Sequence, residues 1–139
     1  DIIRRCVSIK AEIVSRDEFD RGTRQLLNFG HTIGHAIEKV TDYEIPHGFA
    51  VGIGMAMISE ITDKLGWSKE ETCPLITECL ESNGLPTSTD AGMDELLAAM
   101  INDKKIKGDA IDLVIPEEIG GCVLRRVKLS ELKDVLECR

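Results

Sequence analysis

"NFGHTIGHAIEKVTDYEIPHGFAVGIGM", residues 28–55, contains all 3 histidines of the 139-residue chain: His31, His35 and His47. Its periodicity decides the fold. Leu26, Leu27, Ile33, Ala36, Ile37 and Val40 recur at helical spacing and predict a helix running through about Thr41. After the TDYEIPHG turn a second apolar helix is expected from about Gly48 to Leu65, rich in small residues and therefore tightly packed and largely buried. Gly30 and Gly34 would each cost a helix about 1 kcal/mol relative to Ala, so something other than helix propensity favours them. Four residues apart, they share a face on which another backbone or a ligand can come close.

Working outward, residues 2–15 carry an amphipathic helical pattern (Ile2, Ile3, Cys6, Val7, Lys10), followed by a charged connector ending at Gly22. Downstream, SKEE at 68–71 fits a capping box with Ser68 as N-cap and Glu71 three residues on. The helix it opens includes Leu75, Ile76, Cys79 and Leu80, with Pro74 marking a kink or the true start, and Gly84 closes it. Met93, Leu96, Leu97, Met100 and Ile101 have the spacing of core contacts on a helix. IDLVIP (111–116) and GCVLRRV (121–127) predict a strand pair around the EEIGG turn, and a last helix follows Ser130. The expected fold is therefore mainly α, one domain over 1–139 with one small β-hairpin.

A chain of this length supports one ordinary core. Its formal net charge of −8, with acids dominating from Glu60 to Glu95, argues against a nucleic-acid partner. The longest uncharged stretch, Ile45 to Ser59, falls short of the ~20 apolar residues of a membrane span and is broken by Pro46 and by glycines. Cys6, Cys73, Cys79, Cys122 and Cys138 are odd in number and contain no CxxC, against both a disulfide framework and a thiolate zinc site. They read as small buried hydrophobes in a protein of the reducing cytoplasm. The chain opens on Asp1, already in a helical pattern and with no signal peptide, from which a segment of a longer protein is expected.

His31 and His35, four apart on a helix, project from one face, and antiparallel packing of the next helix can bring His47 back beside them. Three imidazoles at one point suit a divalent metal, although histidines also cap helices or satisfy core hydrogen bonds. The HExxH protease pattern is not met, since Thr32 and Ala36 follow the first two histidines. Arg24, Asn28, His31 and His35, spaced four, three and four apart, place a cation, an amide and two imidazoles along one predicted helical stripe, with open space expected at Gly30 and Gly34.

Lys10, the run from Arg24 through NFGHTIGHAIE, HGFAVGIGM at 47–55 and DKK at 103–105 together resemble the C-terminal domain of the 3-dehydroquinate synthases, within the sugar-phosphate cyclases. The resemblance implies the helical domain of that fold, with the NAD-binding α/β domain absent from this chain. It further implies a shikimate-pathway lyase that turns 3-deoxy-D-arabino-heptulosonate 7-phosphate into 3-dehydroquinate and phosphate with NAD and a divalent metal, zinc or cobalt. By that route an alcohol is oxidised transiently, phosphate leaves, the ketone is reduced again and the ring reopens and closes. His31 and His47 would be metal ligands, and His35 would touch substrate and assist proton movement. Arg24 would hold the substrate carboxylate, Asn28 and Lys10 its polar groups, and Lys104 or Lys105 the phosphate. The family's third metal ligand, a glutamate, lies before the region present here, and the family precedent is a homodimer. Phe49 stands where the family usually has glutamate, which keeps open a related cyclase of the 2-deoxy-scyllo-inosose or valiolone synthase type. A helical interaction domain with vestigial histidines is the non-catalytic alternative.

Overall fold

The computed structural model describes residues 1–17, 22–102 and 108–138. Among the described residues six α-helices, a 3-10 segment and one hairpin follow in order: α1 (Ile2–Arg16), the 3-10 segment (Thr23–Asn28), α2 (His31–Val40), α3 (His47–Lys64), α4 (Cys73–Ser82), α5 (Met93–Ile101), β1 (Ala110–Glu118), β2 (Gly121–Lys128) and α6 (Leu129–Glu137). α3 is apolar around most of its circumference, as a helix surrounded by others must be, and is buried from Ala50 through most of its length. Ile33 and Ile37 of α2, Ile53 and Ile61 of α3, Leu96 of α5 and Leu113 of β1 belong to one hydrophobic cluster. The strands pair antiparallel from Ala110↔Lys128 to Pro116↔Cys122, and Pro116, which has no N–H for a ladder, sits at the irregularity before the turn. Arg125 lies 3.9 Å over the Trp67 ring and ties the hairpin to the end of α3.

The predicted helix through Thr41 is broken. Gly30 adopts a left-handed conformation (φ 76°) as the residue before α2, so Arg24 and Asn28 lie on the separate 3-10 segment and share no helical stripe with the histidines. Nor do the glycines leave open space. A Cβ on Gly30 would stand 2.7 Å from the Val51 carbonyl oxygen, one on Gly34 would stand 3.0 Å from the Val51 Cα, and one on Gly54 would overlap the Gly30 carbonyl oxygen. The backbone of α3 fills the gap.

The Ser68 capping box is also replaced. α4 begins at Cys73 with Pro74 in its first turn, and its N-terminus is capped from α3. Asp63 Oδ2 accepts from the N–H groups of Thr72 (2.9 Å) and Cys73 (2.7 Å), while Oδ1 accepts from the Ser68 hydroxyl (2.7 Å). A carboxylate offers more acceptor capacity than the Ser68 hydroxyl, which here is a donor. Burial raises the Asp63 pKa, but the bonds from Cys73, Ser68 and Thr72 outweigh it and hold the carboxyl below its ordinary range.

Smaller departures have related causes. Ile101 ends its helix 40 % exposed rather than in the core, and α6 begins at Leu129, before Ser130. Cys6, Cys79 and Cys138 are exposed and Cys73 and Cys122 half-buried, all as free thiols, so none is the fully buried small hydrophobe expected. α1 forms as expected but buries no residue, leaving Ile2 and Ile3 each 80 % exposed. No helix among the described residues is long and apolar enough to cross a membrane.

Two outcomes check this packing. Gly54→Ala should destabilise the fold by about 3 kcal/mol or more through backbone overlap, whereas Gly66→Ala, left-handed but with nothing near a new Cβ, should cost about 1 kcal/mol; denaturant midpoints report both. Asp63→Ala should cost about 1 kcal/mol at neutral pH. Because the folded-state pKa is lowered, the wild-type advantage is present above about pH 4 and lost as pH falls through that lower value, so the two unfolding curves should converge in acid.

Candidate metal centre

Two helix starts build the site. His31 is the first residue of α2, His35 follows one turn later, and His47 is the first residue of α3. The turn between the helices reverses the chain through two consecutive left-handed residues, Asp42 (φ 49°) and Tyr43 (φ 62°), with the Tyr43 N–H donating to the Glu38 carbonyl at 2.7 Å. That reversal folds α3 back along α2, so that His47 stands beside Glu38 and its ring meets those of His31 and His35. The ring centroids are 5.6 Å apart for His31 and His35, 5.4 Å for His31 and His47, and 5.7 Å for His35 and His47.

These spacings suit a shared cation. Two imidazoles on one tetrahedral zinc, with Zn–N about 2.0–2.1 Å, hold their centroids about 5 Å apart. Nitrogen placement agrees for two of the rings. His31 Nδ1 faces the Phe29 carbonyl oxygen at 3.2 Å, and His47 Nδ1 faces Glu38 Oε1 at 3.1 Å. Both partners only accept, so each Nδ1 carries the proton and each Nε2 keeps a lone pair for a metal. Gly30 contributes here as well, because its left-handed turn sets the Phe29 carbonyl beside the His31 ring. The donor set therefore fits zinc or cobalt.

Glu38 is the member that sequence reading missed. One donor atom each from His35, Glu38 and His47 lie within 4.8 Å of one another. The available signal was the His35-x-x-Glu38 spacing, which puts a carboxylate one turn beyond an imidazole on the same face.

The other candidates come together less. Lys10 sits exposed on α1, which packs against the 3-10 segment. Arg24 is half-buried at the start of that segment, its backbone N–H donating to Asp17 Oδ2 at 3.1 Å. Asn28 ends the segment beside a narrow crevice bordered by Gly30, Thr32, Ile58 and Leu113. Lys104 and Lys105 lie outside the described residues. A larger open hollow, about 700 Å³, lies between α3 and α4 near Glu60, Asp63 and Glu81. At 1.5 Å per residue, Glu60 is about 20 Å along α3 from His47, and the hollow is a separate feature.

The fold is that of a helical part of the sugar-phosphate cyclases. A structure of 2-deoxy-scyllo-inosose synthase complexed with carbaglucose-6-phosphate, NAD+ and Co2+ superposes with a TM-score of 0.80 at 24 % identity, covering 96 % of this chain and 39 % of that one. A 2-epi-5-epi-valiolone synthase from Streptomyces hygroscopicus with NAD+ and Zn2+ bound gives 0.80 at 25 % identity, covering 98 % and 38 %. The chain belongs to the 3-dehydroquinate synthase C-terminal family, whose model matches residues 1–106. It is 41 % identical over 138 residues to 3-dehydroquinate synthase of Streptococcus thermophilus and 40 % over 134 residues to that of Clostridium kluyveri. It spans 39 % and 37 % of those relatives' lengths and 98 % and 95 % of its own.

If His31 and His47 are the only ligands this chain supplies and water takes the remaining positions, zinc binding should be weak. Titration calorimetry of the 139-residue chain should show low affinity that disappears in His47→Ala, and tight 1:1 binding would contradict it.

Proposed function

We propose that this chain is the metal- and substrate-binding domain of a 3-dehydroquinate synthase. In the whole protein it would convert 3-deoxy-D-arabino-heptulosonate 7-phosphate to 3-dehydroquinate and phosphate. The observation that carries the reading is the convergence of His31 and His47, each with Nδ1 held by an acceptor, in a chain 41 % identical to a named synthase. NAD would bind mainly to a domain outside this sequence, and the whole enzyme would be a homodimer of the cytoplasm.

His31 and His47 would hold the divalent cation through Nε2. When bound, the cation supplies Lewis-acid stabilisation of negative charge on a substrate oxygen. His35, beside both rings, would contact substrate and carry a proton. Arg24 would clamp the substrate carboxylate, because its planar fork makes two parallel charge-assisted hydrogen bonds. Asn28 and Lys10 would bind polar groups of the substrate. A compact ammonium from Lys104 or Lys105 would meet the phosphate.

Phe49 favours a second reading. It stands two residues after His47, 42 % exposed on the first turn of α3, where an acidic side chain is usual in this family. The loss of a carboxylate beside His47 would alter the hydrogen-bonded support of the metal ligands, or mark a cyclase of the inosose or valiolone synthase type acting on another sugar phosphate.

The deciding assay is phosphate release by the full-length protein with NAD and zinc. Release from the heptulosonate phosphate should be abolished in His31→Ala. Turnover of glucose 6-phosphate instead would move the assignment to the second reading, and a variant as active as wild type would favour a non-catalytic domain.

A further inference from the structure

We infer that Glu38 is a positioning residue for His47: its carboxylate holds the imidazole as the Nδ1–H tautomer, leaving the Nε2 lone pair for the cation. This rests on the proposed metal site, but its physical basis is the geometry of two helices. His47 is the first residue of α3, with its side chain 56 % exposed, so packing on its own does little to fix the ring. Glu38 is the opposite case. It stands on α2 with its side chain 14 % exposed, and its backbone carbonyl is engaged by the Tyr43 N–H of the turn.

A carboxylate accepts and does not donate, so the 3.1 Å contact from His47 Nδ1 to Glu38 Oε1 requires the proton on Nδ1. In water a neutral histidine side chain prefers its proton on Nε2, which would block that nitrogen as a ligand. Glu38 therefore imposes the less common tautomer, through a charge-assisted hydrogen bond whose acceptor side chain is only 14 % exposed. An incidental surface ion pair would join two exposed flexible groups; here the acceptor is the fixed, shielded partner. His31 reaches the same tautomer by a different device, the Phe29 carbonyl oxygen. The proposed ligand pair is thus oriented by two independent acceptors, and Glu38 serves one of them alone.

The test is long-range proton–nitrogen correlation of the imidazoles in the 15N-labelled 139-residue chain at about pH 8, followed by Zn2+ titration. Wild type should show His47 as Nδ1–H. Glu38→Ala should shift it to mainly Nε2–H while His31 stays Nδ1–H, and should weaken zinc binding about 10- to 100-fold. Glu38→Gln, close in shape and retaining an accepting oxygen, should give an intermediate result and covers the case in which the alanine variant does not fold. The inference is overturned if His47 is Nε2–H in wild type, or if neither variant changes its tautomer. It is likewise overturned if zinc moves the His35 nitrogens and the Glu38 carboxylate together, since Glu38 would then be a ligand. The tautomer is read without metal or substrate. A His31→Ala enzyme that still releases phosphate would therefore remove the functional reading while leaving this one standing.

Discussion

The contact of α2 and α3 through glycine backbone is the constraint on which the rest depends. Gly54 of α3 lies against the Gly30 carbonyl and Gly34 against the backbone of Val51, so the two helices meet closer than side chains would allow. Small residues at a crossing remove the spacing that Cβ atoms impose, and close-packed interiors transmit any change there. The site lies at one end of this crossing. His31 and His35 project from α2 and His47 from α3, and their ring spacing of between 5 and 6 Å follows from how near the two axes run.

Gly30 serves packing and chemistry at once. Its left-handed backbone ends the 3-10 segment, starts α2 and sets the Phe29 carbonyl beside His31. At the other end of α2, Asp42 and Tyr43 take the same unusual region without glycine's freedom. The chain reversal they make places Glu38 and His47 together. Left-handed turns at both ends of one short helix thus frame the imidazole cluster.

Much of the architecture was legible because it is local. Periodicity located α1, α3 and α5, and the two segments IDLVIP and GCVLRRV around the EEIGG turn gave the hairpin to within a few residues. The spacing of His31, His35 and His47 announced a cluster. What went astray depended on contacts between one element and another. Ser68 looked like a cap until Asp63, five residues upstream on another helix, took the role with a better acceptor. The cysteines looked like core because their type is usually buried, whereas exposure is decided by which side of an element faces its neighbours. Glu38 went unnoticed because a glutamate on a helix is ordinarily a solvated charge, and only His47 folding back gives it a partner.

The amino-acid sequence by itself determined the helical class, the hairpin, the histidine cluster and, through the run from Arg24 to Met55, the family. Tertiary structure alone decided that the glycines admit a helix rather than a ligand, that Arg24 and Asn28 stand off the histidine stripe, and which nitrogen of His31 and His47 stays free. The division has a physical origin. Period and capping act over a few residues and can be read along the chain, whereas close approach and proton placement depend on atoms that meet only after α3 has packed across α2.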